Sequence, residues 1–326
     1  MPEACGVIRN PSHRMSKGFD VIPFRTALRR WWPMALAILL SAFVLGSFDW
    51  EGILRQLAGI VLWPLLAAMV GITLVIFLTC ALRWMAINQL PWRWRTLSDV
   101  YVYVSVVIGA AIATPMQLGE ILKVRFARDS GLPFGRSVVN LALERVIDLA
   151  AITAMVMGGL VFSTLHSNAL AISAGIGILA AGMGAPALLQ WVAGRFGRRA
   201  WGERLKGLVG EPLPLAQLAV VAVTSVAKWG LILLVWMLAM ATAGLTISFW
   251  EGMVLVGGVT GLSIISLVPG GIGVQEVSVR ALLVMMGHDA AASEAAAIVL
   301  RLFTPVVVGL GLAHVPLLSR KRPPLA

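Results

Sequence analysis

The chain has 326 residues, 59% of them hydrophobic and 13% charged, with a mean hydropathy of +0.89, whereas a soluble globular domain is about 25% charged. The net charge of +11 does not point to nucleic acid, because the basic residues flank apolar runs, where membrane orientation and anionic lipid headgroups call for them. Cys5 in the tail and Cys80 in an apolar run make no disulfide framework, and spans with short loops use nearly the whole length, leaving no room for a separate soluble catalytic domain.

Residues 1–30 form a basic tail containing Arg9, Arg14, Lys17, Arg25, Arg29 and Arg30. The apolar run 33–48 follows. No small-x-small cleavage pattern precedes Asp49 and Trp50, so it reads as an uncleaved first span rather than a signal peptide. Further runs read as crossings are 58–82, 143–162, 170–191, 215–241 and 296–318. Two more, 100–115 and 251–269, are apolar but end in Pro115 and Pro269 and lead into polar motifs. Trp residues cluster at the proposed span ends; Trp63, Trp229 and Trp236 fall deeper and read as packing residues.

Most of the basic residues form five groups: the tail; Arg83, Arg93 and Arg95; Lys123, Arg125, Arg128 and Arg136; Arg195, Arg198, Arg199, Arg204 and Lys206; and Arg320, Lys321 and Arg322. Cytoplasmic loops carry the Lys/Arg excess. With all five groups inside, 100–115 and 251–280 must each enter and return on one side. The expected fold is therefore an all-α polytopic membrane protein with about six full transmembrane helices and two re-entrant or broken helical hairpins. Both termini are cytoplasmic. The alternative is eight plain transmembrane helices.

The two Pro-ended segments resemble each other. An offset of 156 places Glu120 on Glu276, Gly131 on Gly287 and Arg145 on Arg301. Together with the charges, this implies two inverted-topology repeats, 31–168 and 169–318, between the tails 1–30 and 319–326. Proteins of that design bind substrate near the midplane, where broken helices meet. The short helices starting near Gly119 and Gly273 would aim free N–H groups there and favour an anion.

A charge at the centre of a span costs roughly 2.5–3.5 kcal/mol, so the ionisable residues at depth should face inward and pair. They are Glu120, Glu144, Arg145, Asp148, Lys228, Glu276, Arg280 and Arg301. One reading is a structural salt-bridge network. The other has Arg145 and Arg301 holding a phosphate-type headgroup, which suits their planar fork, with Glu120, Glu276, Arg280, Gly119, Gly270, Gly271 and Gly273 completing the substrate site. Glu144 and Asp148, four apart on one helix face, would couple the cycle. Lys228, near a span start, is expected to extend its amine to the cytoplasmic surface. Acidic Glu251, Asp289 and Glu294 suit the outer face. His13, His166, His288 and His314 show no metal-ligand spacing, and no nucleophile triad, phosphate loop or dinucleotide fingerprint occurs. No metal and no cofactor is expected.

Leu118–Lys123, Leu143–Asp148, Pro269–Glu276 and Leu300–Thr304, taken in order, resemble the flippase-like transmembrane region of the lysylphosphatidylglycerol synthase family. Free-standing relatives include hopanoid- and envelope-associated membrane proteins. The resemblance spans about 30–320. It implies lipid translocation or headgroup handling in the bacterial inner membrane. The aminoacyltransferase domain of the full synthases is not in this sequence, so that enzyme activity is not expected.

Three functions compete. The first is a transporter of an amphiphilic lipid with an anionic headgroup, with anionic lipids also binding the cytoplasmic face. The second is a membrane enzyme acting on a lipid phosphate, which lacks a metal triad or clear nucleophile. The third is a non-catalytic partner in an envelope-lipid or glycan pathway. Envelope-biosynthesis proteins or a second copy of the chain are candidate partners; nucleic acid is not.

Overall fold

The computed structural model describes residues 48–318, save 59, 130, 196–212 and 267, plus Leu39, Ala42 and Gly46. The expected first span, 33–48, is thus described only at Leu39, Ala42, Gly46 and Phe48, and the tails 1–30 and 319–326 lie outside the described residues. Among the described residues all regular structure is helical. The chain is an all-α polytopic membrane protein. Among the described residues, five segments are long and apolar enough to cross a membrane: Trp63–Ile87, Trp94–Ala113, Phe134–Leu165, Leu215–Thr242 and Ala290–Leu318.

Helix α1 (Trp50–Leu57) is short and starts at Asp49, whose Oδ1 accepts from the Gly52 N–H at 3.0 Å. Then come α2 (Trp63–Ile87), α3 (Trp94–Ala113), a 3-10 turn (Pro115–Ile121), α4 (Leu122–Asp129) and α5 (Phe134–Leu165). Next are α6 (Asn168–Met183) and α7 (Ala185–Arg195). The last stretch begins with α8 (Leu215–Thr242), α9 (Phe249–Ile265), a second 3-10 turn (Pro269–Gly271) and α10 (Val274–Met285). It ends with α11 (Ala290–Arg301), α12 (Phe303–Ala313) and α13 (Val315–Leu318). The run 170–191, expected as one crossing, is divided at Gly184, and Pro186 has no N–H to continue the ladder across the break.

Helix α3 stops for a local reason. A proline forces the residue before it out of the helical region. Thr114, just before Pro115, is extended at φ −111°, ψ 148°, and its hydroxyl accepts from the Gly119 N–H at 2.8 Å. Ser266 ends α9 in an extended conformation, and Gly270, Gly271 and Gly273 then turn the chain with φ of 61°, 61° and 81°, values that suit glycine. The helix α9 begins with a capping box: Ser248 N–H donates to Glu251 Oε2 at 2.6 Å, and Glu251 N–H to Ser248 Oγ at 3.3 Å.

Each turn folds the following helix back on the one before it. The Tyr103 hydroxyl of α3 donates to the Leu122 carbonyl, and its ring stacks on Phe126 of α4 at 4.1 Å. Gly119 packs directly on the backbone of Ala110 and Ala111: a Cβ there would stand 2.5 Å from Ala110 C and Ala111 N. In the second hairpin, Gly258 of α9 faces Leu282 of α10. The order helix, helix, Pro-led 3-10 turn, short helix, long helical segment therefore occurs twice, from α2 to α5 and from α8 to α13.

Packing crosses between the halves. The helix α2 lies on α8, α5 on α9, and α12 on α3, and the two 3-10 turns touch each other. Gly109 of α3 and Gly311 of α12 let these helices meet backbone to backbone; a Cβ on Gly311 would lie 2.9 Å from the Gly109 Cα. Gly257 does the same for α9 on α5, where a Cβ would lie 2.9 Å from the Ile152 carbonyl. The main core, including Met69, Ile152, Leu233, Trp236, Leu255, Leu283 and Leu300, joins helices of both halves.

Candidate functional site

The site is built where α2, α5, α8 and the two 3-10 turns converge. Helix α5 has 32 residues, so at about 1.5 Å per residue Glu144 and Asp148 sit roughly 15–20 Å in from its start. Four residues apart, they project from one face. Both are buried, Glu144 completely.

Their main partner is Arg83 of α2. Its guanidinium donates to Asp148 Oδ1 at 2.7 Å and Oδ2 at 3.2 Å, and to Glu144 Oε1 at 2.7 Å. This is the fork-on-carboxylate geometry that makes arginine suited to buried pairs. Lys123 of α4 comes from the opposite side, 2.8 Å from Glu144 Oε2 and 2.7 Å from Glu120 Oε2. Arg145 lies 3.0 Å from Asp148 Oδ2 and 3.5 Å from Glu120 Oε1. Lys228 of α8 closes the cluster, with Nζ 2.9 Å from Asp148 Oδ1, and Trp229 Nε1 donates to the same oxygen at 3.2 Å. Each carboxylate is thereby held by at least two cations. Unpaired, any one of these groups would carry a large desolvation cost.

The cluster forms part of the wall of a cavity of about 230 Å³. Apolar side chains line the rest, among them Ile76, Phe77, Ile108, Ile232, Trp236 and Phe303. Two guanidinium groups on the lining, Arg83 and Arg145, each have a buried Nε without a partner. Among the described residues no His/Cys/Asp/Glu group is arranged to hold a metal ion.

The structure brings Glu120, Glu144, Arg145 and Asp148 into one network, with Gly270 and Gly271 on the same cavity. Arg301 stands just behind that wall. Its guanidinium donates to the Gly270 carbonyl at 2.8 Å and to Gln275 Oε1 at 3.3 Å, and lies 3.3 Å from Glu276 Oε1. Arg145 repeats this arrangement with Glu120 and with Gln117 Oε1 at 3.4 Å.

Several side chains sit elsewhere than the sequence places them. Arg280 pairs with Glu294 at 2.6 Å, and neither residue lines the cavity. Glu294 is buried and also accepts from the Asp49 N–H at 3.0 Å. Lys228 does not extend to a surface: it turns inward to Asp148. The N–H groups expected to be free at the two hinge glycines are taken. That of Gly119 goes to Thr114, at the end of α3, and that of Gly273 to Glu276 Oε2 at 2.7 Å, within α10 itself. Trp229 and Trp236 are buried on the cavity, but Trp63 is 70% exposed.

Sequence reasoning missed Arg83 and Lys123, grouping both with juxtamembrane charges. A signal for Arg83 was present: Trp84, Met85, Ala86 and Ile87 carry the apolar run beyond it, and α2 ends only there. For Lys123 the signal was its spacing three residues after Glu120.

No curated protein and no solved structure matches the chain. The family described as the lysylphosphatidylglycerol synthase TM region matches over residues 30–311, most of the sequence. The chain thus belongs to the lysylphosphatidylglycerol synthase transmembrane-region family.

Proposed function

We propose that the protein moves an amphiphilic lipid with an anionic headgroup across the bacterial inner membrane. The observation that carries this reading is the cavity: buried guanidinium and ammonium groups on part of its wall, aliphatic and aromatic side chains on the rest. A charged headgroup in hydrocarbon costs several kcal/mol without partners. Here it would meet the guanidinium of Arg145, which lines the cavity and is only partly buried. At about 230 Å³ the space is below the roughly 300–1,000 Å³ of drug-sized sites. It suits a headgroup with its acyl chains left outside.

The repeated element order, the crossed packing of the halves and the contact between the two Pro-led turns support an inverted-repeat design with two re-entrant hairpins. On this reading both termini are cytoplasmic. A lipid-phosphate enzyme is disfavoured because Glu144 and Asp148, the candidate bases, are each held by cations.

The test is headgroup inversion of labelled phosphatidylglycerol in liposomes containing the purified protein. Arg145→Ala should slow inversion at least tenfold. Protein-free rates for the wild type, or an unchanged rate in the variant, would overturn the reading.

A further inference from the structure

The charged residues lining the cavity are unequal in number. Arg83, Lys123, Arg145 and Lys228 face Glu120, Glu144 and Asp148, four cations to three carboxylates. The pairs next to it, Arg301 with Glu276 and Arg280 with Glu294, are each balanced. The cavity wall therefore carries one unmatched positive charge in surroundings that screen it poorly. One bound negative charge cancels it. A neutral or zwitterionic group leaves it standing, and two negative charges reverse it.

The surplus can be traced to one residue. Arg83 spans two carboxylates, Lys123 lies between Glu120 and Glu144, and Arg145 reaches both Asp148 and Glu120. Lys228 has a single carboxylate oxygen within reach, Asp148 Oδ1, which Arg83 and Trp229 already share. Its ammonium also lies 4.8 Å from the centre of the Trp229 ring, on the cavity side of α8.

We infer that the cavity selects a headgroup bearing one net negative charge, of the phosphodiester class, and that Lys228 sets this selection. The inference rests on the transport reading above for the nature of the ligand and adds its charge. A phosphodiester offers two anionic-type oxygens, which suit the forked donors of the partly open Arg145 guanidinium on the cavity wall. A phosphomonoester brings a charge of about −1.5 to −2 near neutral pH, more than the cavity balances.

Equilibrium binding in detergent and inversion in liposomes are measured with three lipids of identical chains: phosphatidylglycerol, phosphatidic acid and phosphatidylcholine. Wild type should prefer phosphatidylglycerol at least tenfold over each of the others. Lys228→Met and Lys228→Gln, which remove the surplus, should lose that preference over phosphatidylcholine, while Lys228→Arg keeps it. Preferences within twofold in wild type, or an unaltered preference in properly folded Lys228→Gln protein, would overturn the inference. Selective binding without inversion would sink the transport reading alone; inversion without selectivity would sink this inference alone. Tail-less glycerophosphoglycerol as competitor separates lipid from soluble phosphodiester: it should bind at least tenfold more weakly, and equal affinity would overturn the assignment to a lipid.

Discussion

Arg145 meets Glu120 at 3.5 Å, and Arg301, 156 positions further on, meets Glu276 at 3.3 Å. In each half the carboxylate follows a Pro-led turn, and the arginine comes from the long helical segment after it. The two pairs are not equivalent in setting. Arg145 faces the cavity, whereas Arg301 holds the Gly270 carbonyl that forms part of its wall. Arg301→Ala should therefore act through the second turn. It should raise the lipid concentration needed for half-maximal inversion several-fold, with Arg55→Ala, on an exposed side chain, as the neutral control. Equal rates and equal half-saturation in both variants would contradict that role.

Arg83→Met leaves Glu144 and Asp148 without their shared partner. Breaking a buried pair from one side costs about 3–5 kcal/mol. Thermal unfolding in detergent should shift down by several degrees. Arg95→Met, on an exposed residue of the same basic group, should move by no more than about 0.5 kcal/mol. Similar midpoints for the two would mean the Arg83 network contributes nothing.

Gly119→Ala places a methyl 2.5 Å from the backbone of Ala110 and Ala111. Backbone cannot swing aside as a side chain can, so the first hairpin must open. A loss of about 1–3 kcal/mol is expected, with transport falling alongside. Gly71→Ala, where nothing stands within 4 Å, is the matched control and should be neutral or stabilising. A Gly119→Ala protein as stable and active as wild type would rule out the close approach.

The hairpin reading makes a topological prediction. In a background with Cys5 and Cys80 replaced, single cysteines at Arg93 and Arg128 should label from the same side of the membrane, the cytoplasmic one. The Tyr103–Phe126 stack already requires α4 to run back along α3. Labelling of the two positions from opposite sides would instead support eight plain crossings.

Much of this protein was legible from its residues. Apolar runs at helical length fixed the class, because a backbone in lipid must satisfy its own hydrogen bonds. Pro115 marked the first break, because proline's effect on the residue before it is local; at the second, α9 ends at Ile265, ahead of Pro269, and the glycines that follow turn the chain. Glu120, Glu144, Arg145 and Asp148 were singled out by charge in apolar surroundings. Which charges meet was not legible. Arg83 and Lys123 read as surface residues because sequence shows distance from a run's end, not what α5 and α8 bring against it. Lys228 turned inward for the same reason: Asp148, 80 positions away, offers an acceptor at 2.9 Å. Composition and periodicity follow from contacts within a helix. The cavity, its unmatched charge and the place of Arg301 behind its wall follow from contacts between helices far apart in the chain, and only the tertiary structure decides those.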